Sequence, residues 1–531
     1  MESQLSDVLA TAPALEQICR SLTFPELAQL WIANNRQDIP CNVEVEDVDR
    51  QTYILNGINA ETVAVYPYLL KHDEYEDDGL LNAIYDINIP AIFGFLKLGW
   101  NLNREYTWDS ENRITPMQTA ALTGNIPLLK ILIEHGGKLI PDRFDNDPLK
   151  MAIQGGHVNM VKFLLEQGIP ANYIFDNYSL FDVAAGFDVI DGFSRDYGPT
   201  ESIEIMKLLI SFGGDPNGIE IDDDTEYRGN PVMSVLTSER FGQEQLELLE
   251  FVLEIGANPN IRDNRLYTET NKYPLTAVFD GKIYEAVEML LKAGADPNLP
   301  EINKPLFLAA TSKHIPSVVS LLKYKADPNV IFATGHSLLS VVIDIGRRMG
   351  SQTNDYWIIA DLLLEAGANP NHRTGNFSAF HEALQFAPNY LIRSMLKKKA
   401  DPNVFFHEYP LQIATRLGKI EIIFDLLNAG ANPNINYRER SGLLLSYWIK
   451  KDDLMIVKSL LEHGADLSKI PEAIFLAVKL GDLDMVKLLV ENGANLNPPI
   501  TIDNQTLTLT QYLDTNPRPS ITEYLTELLP K

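Results

Sequence analysis

The stretch "LLLEAGANPN" (residues 362–371) is written nearly unchanged eight more times along the chain. The other copies are "LLISFGGDPN" (208–217), "VLEIGANPN" (252–260), "LLKAGADPN" (290–298), "LLKYKADPN" (321–329), "MLKKKADPN" (395–403), "LLNAGANPN" (426–434), "LLEHGADLS" (460–468) and "LLVENGANLN" (488–497). Each reads as the end of an apolar helix followed by a polar stop. Gly takes the left-handed position after a helix at little steric cost. The Asp or Asn before Pro is pushed into an extended conformation, and the last Asn is expected to bond its own backbone in a turn.

The closing Asn, or the Ser that replaces it, falls at 217, 260, 298, 329, 371, 403, 434, 468 and 497. The shorter separations cluster around 33 residues, as 31, 32 and 34 show, and the longer ones are that unit plus an insertion. A fixed period of this size is the signature of a stacked solenoid. Residues 304–329, "KPLFLAATSKHIPSVVSLLKYKADPN", carry the inner grammar. Pro305 suits a first helical turn, and the small Ala309 and Ala310 of "LFLAAT" let a neighbour approach closely. "IPSVVSLLKY" makes a second helix, apolar on more than one side because others flank it.

Pro-Leu-x-x-Ala, a Gly about four residues on, a Leu-Leu pair and "GADPN" together resemble the ankyrin repeat, a β-turn plus two antiparallel helices. Twelve units are counted over residues 78–500, ending near Asn103, Ile140, Asn172, Asn217, Asn260, Asn298, Asn329, Asn371, Asn403, Asn434, Ser468 and Asn497. The resemblance implies an all-α solenoid of stacked helix-turn-helix units with β-turn tips. The family's first-helix His, which bonds between neighbouring repeats, survives only as His381, so the inter-repeat contacts are expected to differ from unit to unit. Lys325 and Lys399 stand where Gly is expected, at a cost on the order of 1 kcal/mol each.

A stack exposes apolar faces at its ends unless they are capped. Residues 501–531 contain "TLTQYL" and "SITEYLTELL", which read as a capping helix pair. Residues 1–77 read as a small helical unit, or cap, together with an acidic linker drawn from "DEYEDD" (73–78). Within that unit "APALEQICRSLTFPELAQLW" (12–31) loosely resembles an F-box. Long insertions are expected as loops at 186–202, 237–245 and 344–357, within repeats, and at 218–229, between them.

Composition narrows the function. The 531 residues carry a net charge of −28, which argues against nucleic acid or an anionic membrane as the main partner. Two cysteines, Cys19 and Cys41, cannot staple a chain of this length, which suits a reducing compartment. No secretory signal opens the chain, and the most apolar run, "PAIFGFLKLGW" (90–100), is too short to span a bilayer. A cytoplasmic monomer is therefore expected. No phosphate-binding loop, His-Glu-x-x-His motif or Cys-x-x-Cys pair occurs, so no enzyme, metal or cofactor is expected.

What remains is binding. The resemblance implies that turn tips and first helices line one concave face, and the tips after each "PN" vary most. Arg and aromatic side chains are over-used at binding hot spots. The candidate partner-binding residues are Arg262, Arg265, Tyr267, Phe332, Arg373, Phe377, Phe405, Phe406, Tyr437, Arg438 and Arg440, a basic stripe suited to an acidic segment of a partner protein. Two alternatives stand beside this scaffold. One is an F-box-like substrate adaptor of a cullin ubiquitin ligase. The other is an effector of the kind that intracellular bacteria or large DNA viruses deliver into a host cell, whose arrays are similar in style.

Overall fold

A computed structural model of the chain describes residues 79–528 except 98–99, 109–112, 140–146, 176–177, 187–196, 218–229, 239–243, 263–272, 300–303, 351–353, 376, 439–441, 497–499 and 503–504. The small N-terminal cap of residues 1–77 with its F-box-like segment, both cysteines, the acidic linker and the 218–229 insertion lie outside the described residues. The chain divides into two compact units, Met1–Asp296 and Pro297–Lys531.

Among the described residues of the N-terminal unit six helix pairs follow one another: α1 (Gly79–Tyr85) with α2 (Ile89–Lys97), α3 (Pro116–Leu122) with α4 (Ile126–Glu134), α5 (Pro148–Gln154) with α6 (Val158–Glu166), α7 (Leu180–Ala184) with α8 (Pro199–Ser211), α9 (Pro231–Thr237) with α10 (Gln245–Glu254), and α11 (Pro274–Asp280) with α12 (Ala286–Lys292). The described residues of the C-terminal unit form seven: α13 (Pro305–Thr311) with α14 (Ile315–Lys323), α15 (Leu338–Met349) with α16 (Asn354–Glu365), α17 (Ala379–Phe386) with α18 (Asn389–Lys397), α19 (Pro410–Arg416) with α20 (Ile420–Asn428), α21 (Leu444–Lys450) with α22 (Leu454–Glu462), α23 (Ala473–Leu480) with α24 (Leu483–Glu491), and α25 (Leu509–Thr515) with α26 (Pro519–Leu528). The only sheets among the described residues are two-stranded antiparallel ribbons in the turns, which include β1 (Tyr106–Thr107) with β2 (Arg113–Ile114) and β3 (Ile174–Phe175) with β4 (Tyr178–Ser179). The all-α solenoid expected from the repeats is the observed fold.

The sequence builds each pair for local reasons. Pro opens the first helix at 116, 148, 231, 274, 305 and 410, where its missing N–H costs nothing. Ala309 and Ala310 of α13, and Val318 and Leu321 of α14, are fully buried. Helices pack on their partners and on the equivalent helices of neighbouring repeats, as α15 does on α16 and α17. The second helices end at left-handed glycines such as Gly256, Gly294, Gly367 and Gly430. Lys325 and Lys399 adopt the same left-handed conformation, at φ +68° and +65°.

The closing Asn does something other than the expected local turn. Asn371 donates from Nδ2 to the Lys399 carbonyl (2.9 Å) and accepts at Oδ1 from the Asp401 amide (2.8 Å), both in the next repeat. Asn298, Asn329, Asn403 and Asn434 repeat this clamp in the C-terminal unit. Asn103, Asn217 and Asn260 do so in the N-terminal unit. The local turn belongs instead to the residue before Pro: Asn369 Oδ1 accepts from the Asn371 amide at 2.9 Å. Ser468 is too short to reach onward and spends its hydroxyl on Asp466.

The insertion at 344–357 is not a loop. Residues 344–349 continue α15 and residues 354–357 open α16. Their packing explains why: the Trp357 ring lies where a Cβ on Gly346 would be 3.0–3.2 Å away, and Arg347 bridges to Glu382 of the next repeat at 3.3 Å. In the same way, residues 199–202 of the 186–202 insertion form the first turn of α8.

Candidate functional site

The turn tips of the C-terminal unit stand side by side as short fingers. Two are ribbons, β5 (Arg373–Thr374) with β6 (Phe377–Ser378) and β7 (Asn436–Arg438) with β8 (Gly442–Leu443). A third ribbon, β9 (Ile500–Ile502) with β10 (Gln505–Leu507), precedes α25. Two more fingers are closed by single bridges, Ile331 to Ser337 and Phe406 to Glu408. Extended backbone sends successive side chains to opposite faces, and the fingers obey that alternation. The second residue after each closing Asn is exposed: Ile331, Arg373, Phe405 and Asn436. The third turns inward: Phe332 packs edge-on against Phe307 (4.9 Å), and Phe406 lies over His381 (5.4 Å). Tyr437 stacks on Tyr447 at 4.0 Å.

Neighbouring fingers are bonded to one another. A ring nitrogen of His372 meets the Gly335 carbonyl (2.8 Å), and Thr374 meets His336 (3.0 Å). Arg373 reaches from its guanidinium to the Phe405 carbonyl at 3.5 Å, and Phe405 leans on Tyr409 with ring centres 5.0 Å apart. His381 accepts at Nδ1 from Ser378 and donates from Nε2 to the Glu408 carbonyl of the next finger (3.0 Å). Burial, and next the Arg373 and His407 charges, hold its pKa below the ordinary histidine value against the opposing Glu408 bond. Where the family's His is missing, other polar groups take over its bridging role. Gln412 donates to the Asn436 carbonyl, and Asp182 accepts from Ser234 (2.8 Å).

The structure sorts the candidate residues. Arg262, Arg373 and Phe405 project into solvent. Phe377 is half-buried against His336, and Phe332, Phe406 and Tyr437 are committed to packing between turns. Tyr437 is only 9% exposed, so its side chain holds a finger in place and offers little to a partner. Arg265, Tyr267 and Arg440 lie outside the described residues, and of Arg438 only the backbone is described. Ile331, 59% exposed in the same register as Arg373 and Phe405, escaped the search for Arg and aromatic types. The period-two alternation counted from each closing Asn would have found it.

Charge is divided unevenly between the two units. Residues 1–296 hold 21 basic and 48 acidic side chains, while residues 297–531 hold 23 and 24. The negative charge of the whole chain therefore belongs to the N-terminal unit, and Arg373 acts on a nearly neutral background. Among the described residues no group of three or more His, Cys, Asp or Glu side chains is placed to hold a metal ion. No helix among them is long and apolar enough to cross a membrane.

A family model described as ankyrin repeats (3 copies) matches residues 80–174 and 411–500. The chain is 29% identical over 187 residues to the ankyrin repeat and KH domain-containing protein mask-1 of Caenorhabditis elegans, covering 35% of this chain and 6% of that protein. It is 27% identical over 374 residues to the fowlpox virus (strain NVSL) ankyrin repeat protein FPV115, covering 64% of this chain and 66% of that one. The chain thus spans a small part of the first relative and just under two thirds of the second. The crystal structure of the human ASB11 ankyrin repeat domain aligns with 48% of this chain and 97% of its own length, at 20% identity and a TM-score of 0.33. Paired helices, left-handed glycine exits and Asn clamps recur along both units, and the family model matches a stretch of each: the chain carries ankyrin repeats.

Proposed function

We propose that this protein is a non-catalytic scaffold that grips a partner protein on the fingers of its C-terminal unit. Repeats of this family generally mediate protein–protein interaction. The observation that carries the specific reading is the exposed row Ile331, Arg373 and Phe405, held at one register on three adjacent, mutually bonded fingers. A row of two apolar groups around an arginine has the make-up of a binding hot spot, and the bonds between fingers reduce the ordering cost of association. Arg373 favours a partner segment that carries a carboxylate among apolar residues.

The test is affinity capture with the full chain and with a triple variant, Ile331→Ser, Arg373→Glu and Phe405→Ser. All three side chains are exposed, so the variant keeps its fold. Loss of the captured partner supports the proposal, and unchanged capture overturns it. Action on proteins of a host cell after viral delivery is a second reading, supported by the likeness to the fowlpox virus protein. Capture from host-cell lysate of a partner that the triple variant releases would favour it.

A further inference from the structure

The exposed row on the fingers has a pitch. Ile331, Arg373 and Phe405 each stand two residues past a closing Asn, on the fingers that lead into α15, α17 and α19. These first helices pack one on the next, α15 on α17 and α17 on α19. Packed helices lie about 8–10 Å apart, and the same clamp spans both gaps. Asn329 holds the Gly367 carbonyl and the Asn369 amide at 3.1 and 2.8 Å, and Asn371 holds the Lys399 carbonyl and the Asp401 amide at 2.9 and 2.8 Å. The row is therefore one side chain wide and evenly spaced, apolar, then cationic, then aromatic. Asn436 takes the same register on the next finger, so the row ends there in a polar group.

The charge on these fingers has one unmatched member. In residues 330–337, 372–378 and 404–409 the charged side chains, histidine aside, are Arg373 and Glu408. Glu408 is paired with Arg416 at 2.6 Å, and Glu382 of α17 faces Arg347 at 3.3 Å. The turn bases 325–329, 367–371 and 399–403 are each neutral in sum, because Lys325 offsets Asp327 and Lys399 offsets Asp401. Among the described residues no carboxylate pairs with Arg373, whose guanidinium meets the Phe405 carbonyl at 3.5 Å. Phe405 is 56% exposed, and with Tyr409, ring centres 5.0 Å apart and inclined at 59°, it forms an aromatic step beside that cation.

Resting on the reading of the fingers as the binding site, we propose that the partner presents a polyproline-II segment with an apolar residue, a carboxylate three residues on and a second apolar residue three further. A β-strand does not fit the pitch. It rises about 3.3 Å per residue, so same-face residues fall about 6.6 or 13 Å apart, and residues three apart face opposite ways. An α-helix meets a surface with several side chains per turn pair, at i, i+3, i+4 and i+7, whereas the row offers one per repeat. A polyproline-II helix turns once in three residues and advances about 9.3 Å. Its same-side residues thus fall on successive fingers, the first apolar group on Ile331, the carboxylate on Arg373 and the second apolar group against Phe405 and Tyr409. The pattern serves either chain direction. Such a helix has no internal hydrogen bonds and a solvated backbone, so it lies on an exposed row without stranding polar groups, and its stiffness lowers the ordering cost.

The probe is a fluorescein-labelled peptide, PPLPPEPPLPP, titrated against the full chain by anisotropy. We expect binding that weakens roughly tenfold when the carboxylate is displaced by one position (PPLPEPPPLPP) or replaced by an amine (PPLPPKPPLPP), since a few anchors carry most of such energy. These comparisons use the parent chain, so they do not depend on how a variant folds. Ile331→Ser and Phe405→Ser should each weaken the first peptide by a similar factor. Arg373→Glu should invert the preference, binding the Lys peptide more tightly than the Glu peptide. The proposal is overturned if the parent does not bind PPLPPEPPLPP, if the displaced carboxylate binds equally well, or if Arg373→Glu leaves the preference unchanged. Tighter binding of an Ala-based helical peptide with Leu, Glu and Leu seven residues apart also overturns it. Failure of the underlying reading looks different. If the triple variant loses its captured partner while the parent ignores the peptide, the fingers stand as the site and the polyproline-II partner falls. If the triple variant captures its partner unchanged, both fall.

Discussion

Replacing Asn371 by Ala removes both arms of one inter-repeat clamp and touches nothing in the core. The lost bonds are Nδ2 to the Lys399 carbonyl at 2.9 Å and the Asp401 amide to Oδ1 at 2.8 Å. A hydrogen bond contributes a net of about 0.5–1.5 kcal/mol. Both partners here are solvent-exposed and regain water, which places the two together near the low end, at about 1–2 kcal/mol. That corresponds to roughly a fivefold to thirtyfold rise in local opening. Native-state hydrogen exchange at the Asp401 amide reads it directly, because that N–H loses its acceptor. Asn371→Asp is the internal control. It keeps an oxygen for the Asp401 amide and loses only the donor, so Asp401 should stay protected while the Lys399 turn loosens. If Asp401 exchanges at the parental rate in Asn371→Ala, the clamp has no energetic role and the argument fails.

Two buried groups give predictions about pH. Asp147 caps α5 by accepting from the Leu149 amide, and burial pushes its pKa up to about 6 against the counter-pull of Tyr173, the Leu149 amide and Lys150. A raised folded pKa means that the folded state holds the proton more tightly. Stability is therefore lost as pH rises from about 4 to about 6, by about 2–3 kcal/mol in all. Asp147→Asn keeps the cap oxygen without the charge. It should raise the urea midpoint of the N-terminal unit at pH 7.5, with the gain vanishing near pH 4; no gain at pH 7.5 would refute the assignment. His381 has the opposite sign. Its folded pKa is depressed, chiefly by burial, so its contribution is full above the unfolded value and fades as pH falls below about 6.5. His381→Gln borrows the solution already present at Gln412, which bridges without titrating. The thermal midpoint of the variant should depend less on pH between 7 and 5 than that of the parent.

Much of the architecture was legible from local chemistry. A left-handed exit, a Pro-opened first turn and an Asx turn before Pro each depend on residues within a few positions of one another. The letters of "LLLEAGANPN" therefore announce the helix end wherever they occur. Even Lys325 and Lys399 could be assigned a left-handed backbone from their place in the phrase. The candidate site was less legible. Choosing Arg and aromatic types found Arg373 and Phe405, but it also gathered Phe332, Phe406 and Tyr437. Their neighbours one position earlier on the fingers, Ile331, Phe405 and Asn436, are the ones that face solvent. Chemical type sets what a side chain can do, whereas the strand register decides which side it faces.

By itself the sequence determined the repeat, its period, its turns and the family it resembles, because those follow from short-range backbone preferences and from spacing. Only the tertiary structure decided that the closing Asn serves the following repeat, since its partners lie 27 to 41 residues further on. Tertiary packing likewise turned an expected loop at 344–357 into helix, because Trp357 and Arg347 find their partners only when neighbouring elements stack. Contacts between units of a solenoid are set by the stacking, and no one repeat contains the information that specifies them.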